Sequence, residues 1–284
     1  MKLGVTIFLT DEVINPVRLA REAEARGFHS VYFPEHTHIP VARHTPHPVQ
    51  GRDFDPSYRR TLDPYIALAA CASVTDRILL GTGVGVVAQH DPIILAKELA
   101  TLDLLSDGRL VLGVGYGWNR DEIADHGVDP ARRRGRLREV MLAMTELWSN
   151  EVGEFHGKHV EIPPSWSWPK PVQQPRPRAL IGGPAGPKLF GHIAEIADGW
   201  MPIGASGFKE ALPALREAFA DAGRDPASAQ AVPFGIQPTP GKLEYLRSLG
   251  VTEAVAALPG GGADEVLAAL DYYAGAFPEY LARP

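Results

Sequence analysis

Short apolar runs rich in β-branched residues alternate with longer amphipathic segments along the whole 284-residue chain. That alternation restricts the fold more than any other feature. "LGVTIF", "SVYF", "RILLGTGV", "RLVLGVG", "RALIGG", "GWMPIG", "AVPFGIQ" and "TEAVAALPG" read as strands. Each is followed by a segment of helical period. The first helix, "PVRLAREAEARG", has Pro16 in its first turn and Gly27 just past its end. "DPIILAKELATLDLLS" is closed by Asp107-Gly108, and a long helix is predicted from about Arg132 to Trp148. The strands are continuous apolar runs, as expected when both faces of a parallel sheet are covered.

Eight strand–helix pairs in a chain of this length predict a (β/α)8 TIM barrel forming a single domain over residues 1–284. A doubly wound open sheet is the competing arrangement. It would normally carry a glycine fingerprint after the first strand, where this chain has "LTDEVINP". Two segments exceed the minimal barrel. Residues 37–60 follow the second strand on the face where barrel active sites lie. Residues 150–177 join the fourth helix to the fifth strand, so their ends belong on the opposite face. The proline and tryptophan of that second segment are expected to cover the barrel floor or pack on a partner subunit.

Composition removes several function classes. A formal net charge of −6 argues against a nucleic-acid or anionic-membrane partner. The one basic cluster, Arg132, Arg133, Arg134, Arg136 and Arg138, is mixed with Glu139 and reads as an exposed helix start rather than a binding patch. The lone cysteine, Cys71, lies in the apolar run "YIALAACASV" and reads as a small core residue. A single thiol and the lack of a secretory pattern point to the cytoplasm. No apolar run approaches the roughly 18 residues of a membrane span.

The ends of the strands hold the chemistry. "HSVYFPEHTH" runs from an apolar strand directly into Glu35, His36 and His38. At a barrel rim, Glu35 and His36 read as functional, and His38, His44 and His47 as weaker candidates. Gly81, Gly83 and Gly85 recur at every second position, where a flat ligand could approach bare backbone. Gly113, Gly115 and Gly117 repeat the pattern after the fourth strand. "IGGPAGPKLFG" runs into a helix whose free N–H groups suit a phosphate. Together the three glycine-bearing ends suggest a planar cofactor that carries a phosphate.

"PEH", "RILLGTGVGVVAQHDPIILAKELATLDLLSDGRLVLGVGYGW" and "IGGPAGPKLFGHIAEIADGWMP" together resemble the luciferase-like monooxygenase superfamily, and most closely its branch that uses the deazaflavin coenzyme F420. The resemblance covers nearly the whole chain. It implies His36 as the active-site histidine, with Glu35 facing the cofactor ring. Thr82, Gly83 and Val84 then form a bulge behind the ring, where relatives often have a non-proline cis peptide. Gly115, Tyr116 and Gly117 border the cofactor, and Gly182, Gly183, Ala185 and Gly186 hold its phosphate. Phe8, Trp118 and Trp200 are expected to line the substrate pocket. The tryptophan at 118 suggests an apolar, flat substrate.

The function expected from this resemblance is hydride transfer between F420 and a small apolar organic molecule. The alternative is an FMN-dependent monooxygenase using reduced flavin and oxygen. A homodimer is expected by analogy with relatives. A metal-dependent hydrolase built on His36 and His38 is disfavoured, because the other strand ends offer glycines rather than ligands.

Overall fold

The helix starts repeat one local solution. Asn15-Pro16, Asp63-Pro64, Asp91-Pro92 and Thr239-Pro240 each pair a capping side chain with a proline at the first helical position. The cap accepts a free N–H of the first turn, and proline has no N–H to leave unpaired there. These starts open α1 (Pro16–Ala25), α2 (Pro64–Ala72), α3 (Pro92–Leu105) and α8 (Pro240–Ser248). The computed structural model describes residues 1–46 and 55–282, so the predicted site residue His47 lies outside the described residues.

The strands are β1 (Lys2–Thr6), β2 (Ser30–Phe33), β3 (Leu79–Thr82), β4 (Leu110–Val114), β7 (Arg178–Gly182), β8 (Gly199–Met201), β9 (Gln230–Ala231), β10 (Phe234–Ile236) and β11 (Glu253–Ala257). They form one nine-stranded sheet in the order β10-β11-β1-β2-β3-β4-β7-β8-β9, parallel throughout. The two ends of that order, β9 and β10, are separated in the chain only by Val232 and Pro233. Val232 N and Phe234 N donate to Trp200 O and Pro202 O on one side, and Val255 N donates to Pro233 O on the other. β9 and β10 are therefore one interrupted stretch, and the curled sheet closes on itself with eight positions, as the strand–helix count predicts. The remaining helices are α4 (Arg120–Asp125), α5 (Arg133–Ser149), α6 (Pro187–Ile196), α7 (Phe208–Asp221) and α9 (Ala263–Ala276). Cys71 is fully buried between helices, and burial pushes its thiol up to about 12. Among the described residues no helix is long and apolar enough to cross a membrane.

The barrel interior is not wholly apolar. Glu253 of β11 is 2 % exposed and accepts hydrogen bonds from Ser30 Oγ at 2.6 Å, Tyr32 Oη at 2.9 Å and Arg178 Nη1 at 2.6 Å. Arg178 Nε donates to Gln230 Oε1. Four strands are thereby joined through one carboxylate. Burial pushes the Glu253 carboxyl up, but the Arg178 guanidinium and the hydrogen bonds outweigh it, and the net shift is downward.

Of the two places expected for the second insertion, the barrel floor is not the one its tryptophans take. The insertion forms an antiparallel hairpin, β5 (Gly153–His156) and β6 (Glu161–Ser165), that climbs the outside of α5. Gly153 lies against Glu146 and Leu147, near the C-terminal end of α5. The hairpin tip reaches Glu139, whose carboxylate accepts the N–H groups of Lys158, His159 and Val160. Three backbone donors on one side chain fasten the tip. Trp166 and Trp168 are exposed rather than packed under the barrel. It is Gln173 that ties the return to the lower rim, donating to Leu110 O and Asp103 Oδ1.

Candidate active site

His36, three residues past the end of β2, has its Nδ1 2.7 Å from Glu122 Oε2. A carboxylate only accepts, so Nδ1 carries the proton and Nε2 is the basic nitrogen of the neutral ring. Glu122 is 2 % exposed, and its other oxygen takes the N–H of Thr37. α4 delivers this carboxylate. Asn119 caps that helix, with Asp121 and Glu122 in its first turn. The same helix fastens the loop after β2: Asp121 accepts from the backbone of His44 and Thr45, and Asp125 pairs with His38 Nε2 at 3.0 Å. His38 and His44 thus secure the loop, while His36 alone of these histidines enters the aromatic group described next.

The His36 imidazole lies among three aromatic rings. Phe8 stacks near it at 6.4 Å, Tyr58 tilts at 5.0 Å, and Trp118 meets it edge-on at 5.7 Å. Tyr58 also contacts Phe8 at 4.6 Å and Trp118 at 5.6 Å. A proton-exchanging group walled by aromatic faces suits an apolar substrate. Neither Tyr58 nor Glu122 was expected from the sequence. Both had a readable signal, since Asp55-Pro56 and Asn119 open short helices with the cap chemistry of the longer ones.

The bulge after β3 has the expected form, with a cis peptide between Gly83 and Val84. Glycine serves a different purpose here from the one expected. A Cβ on Gly115 would come within 2.6 Å of Val84 Cγ2, and one on Gly182 within 3.1 Å of Val84 Cγ1. The bare ends of β4 and β7 thus make room for the Val84 side chain. Gly81 gives space to the Tyr32 ring and Gly113 to the Thr82 carbonyl, so neither clears a surface for a ligand. Thr82 is buried, and its hydroxyl donates to Gly113 O at 2.7 Å, tying β3 to β4 instead of presenting itself to a cofactor.

Glu35 also differs from expectation. It is 3 % exposed, and both its oxygens are engaged behind the bulge. Oε2 accepts from Val86 N at 2.6 Å and Tyr65 Oη at 3.4 Å, and Oε1 pairs with His90 Nε2. Burial opposes ionisation of both partners. Their mutual hydrogen bond and attraction outweigh it, lowering the carboxyl and raising the imidazole. Glu35 therefore braces the backbone of the bulge and does not face a ring.

After β7, Gly183 has φ +147° and Gly186 stands at the cap of α6. No side chain caps this helix, so its first-turn N–H groups stay available for an anion. Trp200 donates from Nε1 to Gly183 O at 2.8 Å and stacks on Phe208 at 5.6 Å, with Phe190 edge-on. It is 2 % exposed. Its expected place in the substrate wall is not the observed one, because an indole packed between β8 and the outer helices belongs to the core and anchors the loop. Tyr116 donates to His192 Nδ1 or accepts from it at 2.9 Å, joining the end of β4 to α6. Among the described residues, no group of three or more His, Cys, Asp or Glu is placed to hold a metal ion.

Comparison with known proteins agrees with this geometry. An uncharacterised protein of Mycobacterium tuberculosis is 46% identical over 271 residues, 94% of this chain and 95% of that protein. The monooxygenase RslO1 of Streptomyces bottropensis shares the fold with a TM-score of 0.79 at 22% identity, covering 99% of this chain and 100% of that one. The coenzyme F420-dependent tetrahydromethanopterin reductase of Methanopyrus kandleri does so at 0.75 and 18% identity, again over 99% and 100%. Residues 10–241 match the model of the luciferase-like monooxygenases, and the chain belongs to that family.

Proposed function

We propose that this protein is an oxidoreductase that binds F420 and moves a hydride between the deazaflavin and a carbon of an apolar organic substrate. The reading rests on the carboxylate-held His36 inside its aromatic walls, next to the Val84 bulge and the open end of α6. The residues fit such a cofactor: Val84 on its glycine seat offers an apolar support for a planar ring, and the start of α6 after Gly186, which no side chain caps, offers first-turn N–H groups for a phosphate. F420, when bound, supplies the hydride chemistry. His36 then gives or takes the accompanying proton at Nε2, and Glu122 holds the ring in that tautomer and orientation. Phe8, Tyr58 and Trp118 orient the substrate and keep water from the reacting carbon.

FMN-dependent monooxygenation is the second reading, supported by the fold shared with RslO1 and by a ring support and anion site that FMN would fit equally well. Titration of the purified protein with F420, FMN and FAD separates the two. Tight binding of F420 alone supports hydride transfer, and tight binding of FMN alone overturns it.

Two substitutions test the pocket. Gly183→Asp places negative charge beside the expected phosphate, and F420 binding should weaken at least tenfold, about 1.4 kcal/mol. Gly183→Ala carries the same backbone penalty without the charge and should weaken it less. Equal affinities for the two folded variants would remove the phosphate from this loop. Trp118→Ala should raise KM for apolar substrates several-fold through lost contact area, while Trp118→Phe keeps most activity. A raised KM in both variants alike would point to the indole N–H instead of its face.

A further inference from the structure

The stretch "VGVVAQHDP" contains a histidine, His90, that neither the aromatic chamber nor the anion site uses. Its backbone is fixed from outside, because Arg136 of α5 donates to the carbonyls of Ala88 and His90. From there His90 Nε2 reaches Glu35 Oε1. Glu35 in turn grips the bulge at two points. Its N–H donates to Val84 O at 3.3 Å, and its Oε2 accepts from Val86 N at 2.6 Å. These two bonds bracket Gly85, where a Cβ would come within 2.7 Å of Tyr65 Oη. The backbone that carries Val84 over Gly115 and Gly182 is thus tied to one buried carboxylate. Among the described residues, His90 is the only side chain that forms an ion pair with it.

The two ends of the pair differ in access. The Glu35 side chain is 2% exposed and the His90 side chain 21%. His90 lines a cavity of about 540 Å³ between α2 and α3, whose other charged groups are Asp63, Asp91, Lys97, Glu98 and His126. The Tyr65 ring meets the imidazole edge-on at 5.7 Å. Burial works against the imidazolium, but Glu35, with Glu98 and Asp63 behind it, outweighs burial and raises the imidazole. We propose that His90 is a positioning residue for the ring seat. As an imidazolium it holds Glu35, and through Glu35 the backbone from Val84 to Val86, in the geometry that supports a planar cofactor. Its proton exchanges through the outer cavity, so cofactor affinity is coupled to a group that touches neither cofactor nor substrate. A neutral imidazole still donates from Nε2, but a hydrogen bond between charged partners is the stronger one, by about fivefold in an equilibrium constant. The folded imidazole lies above its unfolded value. The pair is therefore at full strength below the unfolded value and weakens as pH rises through the folded one. The inference rests on the reading of Val84 as the ring support.

The test compares the wild-type protein with His90→Gln, whose amide donates to Glu35 without a charge. Both are titrated with F420, and in parallel with FMN, at about pH 6 and about pH 8.5. The cofactor's own ionisation is common to both proteins and cancels in the ratio of their affinities. The wild-type protein should bind about fivefold more tightly than the variant near the lower pH and about equally near the higher one. A ratio that does not change with pH overturns the inference and leaves the proposed function standing, because a lost contact or a packing defect acts at every pH. Hydrogen exchange of the Val86 amide makes the same comparison without a cofactor. Its protection should be greater in the wild-type protein near the lower pH and converge with that of the variant near the higher one. Equal protection at both pH values overturns the inference whatever the affinities. Glu35→Gln removes the charge from the other end of the pair and should remove the pH dependence of Val86 protection, and a dependence that persists in it also overturns the inference. Failure of both cofactors to bind the wild-type protein overturns the reading of Val84 as a ring support, and the inference with it.

Discussion

Replacement of His36 by alanine is expected to slow turnover roughly a hundredfold while changing cofactor affinity by no more than a few fold. The imidazole is held through Nδ1 to Glu122, and its ring stands among Phe8, Tyr58 and Trp118. Loss of the ring therefore removes the proton-exchanging group without touching the anion site. Steady-state rates and a separate binding titration resolve the two effects. Glu122→Gln should slow turnover less, by about tenfold, because the amide keeps the size of the carboxylate but can itself donate and so no longer selects the tautomer. Normal turnover in a folded His36→Ala protein would remove this histidine from the chemistry. Loss of cofactor binding in that variant would move its role to the ring site.

Arg178→Leu should destabilise the fold by about 3–5 kcal/mol, the cost of leaving a buried charge without its partner. Glu253 stays in the barrel interior with only the hydroxyls of Ser30 and Tyr32 to satisfy it. In the wild-type protein the folded carboxyl lies below its unfolded value, so its contribution to stability is present above the unfolded pKa and lost as pH falls through the folded one. Without Arg178 the sign reverses. Burial then raises the folded pKa above the unfolded value, so folding takes up a proton and stability declines as pH rises through the carboxylate range. The deficit should be smaller near about pH 4 than near about pH 7. Urea unfolding at both pH values measures it. Adding Glu253→Leu should recover part of the loss, because a buried pair replaced on both sides by apolar groups costs far less than half a pair. An unchanged midpoint in Arg178→Leu would mean that the interior carboxylate is already protonated or hydrated.

The order of strands and helices was legible in the sequence because it depends on local chemistry. Apolar period, proline after a capping residue, and glycine after a helix act within a few residues, and the main elements follow them. The same local reading singled out His36 as a candidate and the glycine-rich start of α6, while the bulge at Gly83-Val84 came from the family resemblance. It missed the interruption between β9 and β10, which comes from pairing on both sides of one short stretch. It also missed α4, whose single short turn of cap and acidic residues is easily taken for a loop.

Side-chain direction was decided only by the tertiary structure. Glu35 and His36 are adjacent in the chain and point to different surroundings, one into the wall behind the bulge and the other towards Glu122, 86 positions away. Trp118 lies just past β4 and Trp200 within β8, yet one joins the aromatic chamber and the other packs under the outer helices. The run of arginines after residue 131 looks uniform as letters, yet Arg132 and Arg138 pair with carboxylates, Arg133 and Arg136 donate to carbonyls, and Arg134 lies over the Tyr116 ring. Which residues could pair, stack or bind an anion was set by their chemical type and hence by the sequence. Which of them did so depended on partners brought within about 3 to 6 Å by closure of the sheet, and hydrogen bonds and ring contacts are short-ranged enough that chain spacing does not report them.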